Sequence, residues 1–236
     1  MQEPHIASAF DRDLEALQAS IMKMGGLVEA AILDSARALA DRDIELAETV
    51  RTGDSAIDDL EDLVNQECAR IIAMRQPMSS DLRIILAVMK VAGALERIGD
   101  YAKNIAKRTS VLAETGPING SDQSLRRMAR EVETMLKDVL DAFIQRDADL
   151  AADVRDRDHS VDQMYNALFR EFLTHMMEDP RNITACMHLH FIAKNIERMG
   201  DHTTNISEEV IYLVTGDHPD DSRKKGATAP GIERAG

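Results

Sequence analysis

The feature that most constrains this chain is an internal repeat. The segment Asp41–Val50, DRDIELAETV, aligns with Gln145–Val154, QRDADLAADV, at an offset of 104 residues (145 minus 41). Further on, VAGALERIGD at Val91–Asp100 aligns with IAKNIERMGD at Ile192–Asp201, at an offset of 101 residues (192 minus 91). Because self-similarity at a fixed spacing marks repeated structural units, we predict a tandem duplication of one unit.

Apolar residues within each copy recur at alternating steps of four and three, which is typical of a helix that packs in a bundle. The series comprises Ile84, Val88, Val91, Leu95, Ile98, Ala102 and Ile105 in the first copy, and Ala185, Leu189, Ile192, Ile196, Met199, Thr203 and Ile206 in the second. Aromatic residues form only 3% of the chain and tryptophan is absent, so the residues that favour strands are scarce. We therefore predict an all-α fold.

Segments rich in Pro, Gly and Ser divide each copy into three helices. Arg75–Ser80 and Glu178–Arg181 are predicted helix-to-helix turns, and Thr115–Ser121 separates the copies. The predicted helices span about 8–51 (bent near Asp41–Asp43), 54–75, 79–113, 122–155 (bent near Arg146), 158–178 and 181–214. The predicted fold is two tandem three-helix bundles, residues 1–114 and 122–214, related by internal pseudo-two-fold symmetry. The polar stretch 216–236 is predicted to be a disordered tail.

Charge and cysteine content narrow the possible functions. A formal net charge of -14 argues against direct nucleic-acid binding, because that binding depends on Lys and Arg displacing counterions from phosphates. The two cysteines, Cys68 and Cys186, lie in apolar helical stretches and suggest buried thiols in a reducing compartment. The first residues lack the basic end and apolar run of a secretory signal. We therefore expect a cytoplasmic protein that reaches a membrane only through its partners.

Each predicted third helix carries a repeated polar motif, whose shared face holds Glu96, Asp100 and Asn104 in the first copy and Glu197, Asp201 and Asn205 in the second. Carboxylates four residues apart on a helix repel each other, and Gly99 and Gly200 each destabilise a helix interior by about 1 kcal/mol relative to Ala. A solvated charged face is the alternative reading. The same unfavourable combination in both copies favours ligand binding.

The predicted middle helices begin with a similar pair, Asp54 with Asp58 and Asp158 with Asp162. Asp54 and Asp158 stand where an N-cap is expected, and an N-cap aspartate stabilises a helix by about 1 kcal/mol. Capping and metal ligation therefore both remain open for these two residues. Asp58 and Asp162 lie one turn further in, where capping does not apply.

Antiparallel helices joined by a short turn place side by side the residues that are equidistant from the turn's midpoint. The pairs Asp58 with Glu96 and Asp54 with Asp100 share the midpoint Pro77, inside the first predicted turn. The corresponding pairs of the second copy are Asp162 with Glu197 and Asp158 with Asp201, and their midpoint falls between Asp179 and Pro180. Each copy should therefore gather four carboxylates at one metal-capable site.

Such sites offer oxygen ligands, which favour iron, manganese or magnesium over a structural zinc site, although zinc remains a candidate. Four carboxylates in one place suggest a multinuclear site. Asn104, Asn205 and His202 lie at the margin as possible second-layer groups. For His202, a plain surface histidine is the alternative reading.

The doubled motif E-R-I/M-G-D-x-x-x-N-I, together with Arg75-Gln-Pro77 and Asp81-Leu-Arg83 in the first copy, resembles the PhoU family over residues 8–214. The resemblance implies a cytoplasmic homodimer that negatively regulates phosphate uptake and phosphate-starvation signalling. The implied partners are the PstB-type ATPase of the phosphate ABC transporter and a PhoR-type sensor histidine kinase. It also implies metal clusters bound through the paired carboxylates. Where the first copy has the pairs Gln76-Pro77 and Leu82-Arg83, the second copy has Asp179-Pro180 and Asn182-Ile183.

Two other functional classes compete with a regulator. A carboxylate-bridged di-iron protein with redox or metal-storage activity would need Glu-x-x-His pairs, and neither copy contains one. The second class is a purely structural helical adaptor without metal. Elemental analysis of protein purified without a chelator would distinguish it from a metal-binding regulator. The chain also lacks a Gly-rich phosphate loop and a nucleophile with an evident base, so we expect a protein that is not an enzyme.

Overall fold

The computed structural model describes residues 3–116, 118 and 120–219, with side chains from Phe10 onward. Helices account for all the regular structure in these residues. They are α1 (Glu3–Asp41), α2 (Ile44–Gly53), α3 (Ser55–Arg75), α4 (Ser80–Ala113), α5 (Ser121–Gln145), α6 (Ala148–Glu178) and α7 (Ile183–Thr215), with a short 3₁₀ turn at Pro180–Asn182 before α7. The all-α prediction is confirmed.

The bends predicted near residues 41–43 and 146 are complete helix breaks with the same chemistry in both copies. Arg42 and Arg146 each adopt a left-handed backbone, with φ of 54° in both cases. The following aspartates are N-caps: Asp43 accepts a hydrogen bond from Leu46 N at 2.9 Å, and Asp147 accepts one from Leu150 N at 3.0 Å. The repeated Arg-Asp pair therefore ends one helix and starts the next.

These breaks separate the first helix of each copy from its middle helix. The boundaries predicted at 51–54 and 155–158 are therefore wrong. α6 runs unbroken through Asp158, and Asp54 joins α2 to α3 with helical backbone angles (φ -58°, ψ -35°). Asp13 near the start of α1 pairs with Arg70 and Arg75 near the end of α3, at 3.2 and 3.1 Å. The middle helix of each copy therefore begins at residue 44 or 148 and folds back along the first helix.

The two copies pack like helix against like helix, α1 against α5 and α4 against α7. Lys90 Nζ bonds Glu209 Oε1 at 2.7 Å, and the Arg108 guanidinium lies 4.6 Å from the centre of the Phe191 ring. These two pairs occupy equivalent positions at the offset of 101 (191 minus 90, and 209 minus 108). Contacts that recur with the copies exchanged are those of a two-fold axis, as predicted.

One continuous core runs through both bundles. The segment Phe10–Asp41 of α1 is the one described stretch with the length and apolar content of a membrane span. Its inward side chains, Leu17, Ile21, Met24 and Val28, are at most 3% exposed, and a buried core helix passes the same test. At the other end of the chain, Gly216 ends α7 in a left-handed conformation with φ of 86°. Most of the predicted tail, residues 220–236, lies outside the described residues.

Neighbouring glycines in α1 test the packing of α1 on α5. A Cβ at Gly25 would clash with Leu140 Cδ1, whereas a Cβ at Gly26 would meet nothing within 4 Å. Gly26→Ala should stabilise the protein by about 1 kcal/mol through helix propensity. The free energy of unfolding of Gly25→Ala should be about 1–3 kcal/mol lower than that of Gly26→Ala, because the added methyl group overpacks the contact with Leu140. Urea unfolding of both variants measures the difference, and equal gains would contradict this packing.

Candidate functional site

In each copy, an aspartate of the middle helix packs against the repeated glycine of the third helix. A Cβ at Gly99 of α4 would lie 3.5 Å from Asp54 Oδ1 and 3.0 Å from Ile57 Cδ1. A Cβ at Gly200 of α7 would lie 3.0 Å from Asp158 Oδ1. The glycines leave the space that these aspartates use, and this explains why both helices retain a residue that weakens them.

Asp54 is not an N-cap, because its side chain accepts no capping hydrogen bond and its backbone is helical. The residue is 4% exposed and its Oδ2 accepts a short hydrogen bond from Lys103 of α4. Its Oδ1 is buried and has no hydrogen-bond partner within the described part of the chain. Asp158 is not a cap either, since it lies inside α6. The capping alternative is therefore wrong for both residues.

The first cluster gathers carboxylates from α3 and α4 on one face. The Lys103 ammonium that bonds Asp54 also lies 3.5 Å from Asp100 Oδ1, so both carboxylates reach one cation, as the turn midpoint requires. Burial raises the pKa of Asp58, and the negative charges of Asp54 and Asp100 raise it further. These observations place three of the four predicted residues within electrostatic reach of each other.

Glu96 is the fourth predicted member and the most perturbed group in the first cluster. Burial raises its pKa to about 7, and the nearby charges of Asp100 and Glu61 and a hydrogen bond to Asp100 add to that effect. Arg97 acts in the opposite direction. Glu96 therefore holds a proton near neutral pH more readily than an exposed glutamate does.

The second cluster lies between α6 and α7. Glu197 Oε1 accepts a hydrogen bond from Lys194 Nζ at 2.5 Å, while Glu197 Oε2 is buried without a hydrogen-bond partner among the described residues. Burial raises the Glu197 pKa, Lys194 counteracts it, and the charges of Asp201 and Asp162 raise it further. Asp162 of α6 and Glu197 of α7 therefore interact across the helices, as the turn midpoint predicts.

The three residues predicted at the margin of the clusters, His202, Asn104 and Asn205, differ in their surroundings. His202 is not a plain surface residue: its ring centre lies 5.7 Å from that of Tyr101, the equivalent position in the first copy, and burial lowers its pKa. Asn104 is half-buried and Asn205 is exposed. His202 therefore lies where the two copies meet, between the two clusters.

Sequence reasoning missed Glu61, Lys103 and Lys194. Each differs from its counterpart in the other copy, where Tyr165, Thr204 and Gly93 stand. A comparison of the copies for differences rather than matches could have found them. Among the described residues, no three His, Cys, Asp or Glu side chains form a preformed metal-binding arrangement. The gathering of four carboxylates at one site in each copy, and their role as metal ligands, therefore stay predictions.

The turn between α3 and α4, which carries Arg75-Gln-Pro77, is held at both ends. Arg75 bonds Asp13, and the Arg83 guanidinium lies 5.2 Å from the centre of the Tyr212 ring of α7. Ser79 has φ of 50°, an unfavourable backbone for a residue with a side chain, and Met78 beside it is 78% exposed. The anchored turn therefore presents an apolar side chain to solvent.

The chain matches the family model of the PhoU domain twice, over residues 21–109 and 125–210. Two similar relatives are both named phosphate-specific transport system accessory protein PhoU homolog. The relative from Rhizobium meliloti (strain 1021) is 46% identical over 95% of each chain. The relative from Caulobacter vibrioides (strain NA1000 / CB15N) is 45% identical over 94% of this chain and 96% of its own length.

Solved structures agree with these sequence matches. The crystal structure of PhoU from Pseudomonas aeruginosa has a TM-score of 0.85 at 42% identity and covers 88% of this chain and 100% of its own. The crystal structure of the phosphate transport system regulatory protein PhoU from Streptococcus pneumoniae has a TM-score of 0.83 at 33% identity, over 89% of this chain and 99% of its own. Its sequence, its doubled domain and its fold together show that this chain belongs to the PhoU family.

Proposed function

We propose that this chain restrains phosphate uptake and phosphate-starvation signalling when phosphate is plentiful. The observation that carries the proposal is the match, over nearly the whole chain, to relatives named as accessory proteins of phosphate-specific transport systems. In this role the protein regulates a transporter and has no catalytic activity of its own. Its net charge of -14 is unsuited to direct binding of DNA, so its effect on gene expression passes through other proteins.

The proposed partners are a PstB-type ATPase of the phosphate ABC transporter and a PhoR-type sensor histidine kinase. The protein acts in the cytoplasm as a homodimer and reaches the inner face of the membrane through these partners. The anchored turn of the first copy is our candidate contact, because Ser79 in this turn has a strained backbone, and such residues concentrate at functional sites. Met78 beside it is exposed. The equivalent turn of the second copy lacks the Gln-Pro and Leu-Arg framing and offers the matched comparison.

A deletion strain grown with ample phosphate should show raised phosphate uptake and raised phosphate-regulon reporter activity. The wild-type gene should restore repression. Met78→Asp should restore it poorly, because a charge at the exposed apolar position opposes docking. Met177→Asp, at an 84% exposed methionine near the second turn, should restore it fully. Unchanged reporter activity in the deletion strain would refute the regulatory role, and equal rescue by both variants would refute the turn as the contact.

We further propose that the two carboxylate clusters bind metal ions: iron, manganese, magnesium or zinc. The donor set fits such ions, because carboxylate oxygens are their common ligands. Buried oxygens of Asp54 and Glu197 without hydrogen-bond partners among the described residues support the fit, since buried charge requires compensation. The residues that would hold the ions are Asp54, Asp58, Glu96 and Asp100 in the first copy and Asp158, Asp162, Glu197 and Asp201 in the second. A bound cation would neutralise the carboxylates of two helices and stabilise their close packing.

Proton competition at Glu96 makes this binding dependent on pH. With its pKa at about 7, Glu96 is mostly protonated at pH 6 and mostly ionised at pH 8. Because a metal ion requires the ionised form, Mn²⁺ affinity at the first copy should rise about tenfold between these pH values. Glu96→Gln should bind more weakly and lose this dependence, whereas Glu67→Gln, on α3 outside the cluster, should keep it. Isothermal titration calorimetry measures the affinities, and absence of Mn²⁺ binding at pH 8 would refute the metal proposal.

The raised pKa of Glu96 also predicts how the stability of the metal-free protein depends on pH. A folded-state pKa above the ordinary value of 4.5 means that folding favours the protonated group. The stability that Glu96 contributes is therefore present below about pH 4.5 and is lost as the pH rises through about 7. Denaturant unfolding of chelator-treated protein should show wild type losing stability relative to Glu96→Gln across this range. A constant difference would contradict the raised pKa.

A further inference from the structure

The two clusters each contain a lysine, but the lysines come from opposite ends of the motif. Lys103 follows Asp100 by three residues in α4, and Lys194 precedes Glu197 by three residues in α7. The equivalent positions hold Thr204 and Gly93, so neither lysine is repeated. The compensating lysine therefore occupies a different position in each copy, although the carboxylates repeat.

Lys103 joins two helices. Its ammonium bonds Asp54 Oδ2 at the junction of α2 and α3 and lies 3.5 Å from Asp100 Oδ1 on α4. Its side chain is only 28% exposed, and Asp54 beside it is 4% exposed. A hydrogen bond to a buried carboxylate is stronger than one at the surface, because water competes less for both groups.

Lys194 is placed differently. Its ammonium bonds Glu197 on its own helix and lies 5.2 Å from the centre of the Tyr165 ring of α6. In this ion pair the cation and the carboxylate belong to one helix, whereas the Lys103 pair connects the middle helix to the third helix. The two clusters are thus unequal in how their internal cation is held.

We propose that Lys103 is a tethered cation that competes with a metal ion for Asp54 and Asp100. This inference rests on the proposed metal binding. The ammonium and a metal ion would use the same carboxylate oxygens, and two cations cannot share them without strong repulsion. A metal ion therefore enters the first cluster by displacing Lys103, and the lysine holds the middle helix to the third helix in the metal-free protein. When this copy binds a metal ion, the ion replaces the Lys103 ion pair as the connection between the middle helix and the third helix.

Amine reactivity of the wild-type protein tests the displacement directly. Lys103 is labelled with an amine-acylating reagent during a Mn²⁺ titration, and mass spectrometry reads each lysine separately. Its labelling should rise severalfold as Mn²⁺ binds, while exposed Lys107, one turn further along α4, stays constant. NaCl at matched ionic strength controls for screening. Constant or reduced labelling of Lys103 while calorimetry records Mn²⁺ binding would overturn the proposal.

A pair of variants tests the competition independently. Lys103→Gln should bind Mn²⁺ about tenfold more tightly at one site, because the ion no longer displaces a charged hydrogen-bond partner. Lys107→Gln removes the same charge one turn away and should bind as wild type does. Far-UV circular dichroism checks that both fold. If wild type binds Mn²⁺ and Lys103→Gln binds equally well, only the competition is wrong. If neither protein binds Mn²⁺, the metal proposal is wrong, and the competition with it.

Discussion

The structure depends on the close approach of the middle helix to the third helix at a glycine. Without a side chain at Gly99 or Gly200, the carboxylates of Asp54 and Asp158 enter the helix interface instead of remaining at its edge. This approach creates the central constraint, because carboxylates placed out of water require a compensating charge or a proton. In the first copy Lys103 supplies the charge that compensates Asp54.

The duplication and the constraint have different consequences in the two copies. The helix order, the capped helix breaks and the carboxylates repeat around a two-fold axis. The middle helix is divided, at Asp54, in the first copy, whereas α6 is continuous. The compensating lysines and the helix-to-helix turns do not repeat. Only the first turn carries the Gln-Pro and Leu-Arg pairs. Of the two cluster lysines, Lys103 pairs with carboxylates of both the middle and the third helix, whereas Lys194 pairs with Glu197 on its own helix. The two copies thus share a scaffold but differ in the charges and turns that they carry.

Much of this arrangement followed from the sequence, because it rests on period and spacing. The repeated offsets predicted the two bundles, and the turn midpoints placed Asp54 near Asp100 and Asp162 near Glu197. The corners at Arg42 and Arg146 were read as bends, since a left-handed arginine leaves no sequence signature as clear as glycine. Asp54 and Asp158 resembled caps because the middle helices were predicted to start ten residues too late, at 54 instead of 44 and at 158 instead of 148. Lys103 and Lys194 were missed because a search for matches ignores residues that differ between copies.

The central claim is our proposal that each copy binds a cation between carboxylates of its middle and third helices. Anomalous X-ray diffraction at the manganese edge, on crystals grown at pH 8 with Mn²⁺, tests it most directly. The account predicts an anomalous peak in each copy, within about 2.0–2.6 Å of oxygens from both the middle and the third helix. Manganese bound only by carboxylates of a single helix, or no peak between the helices, would contradict it.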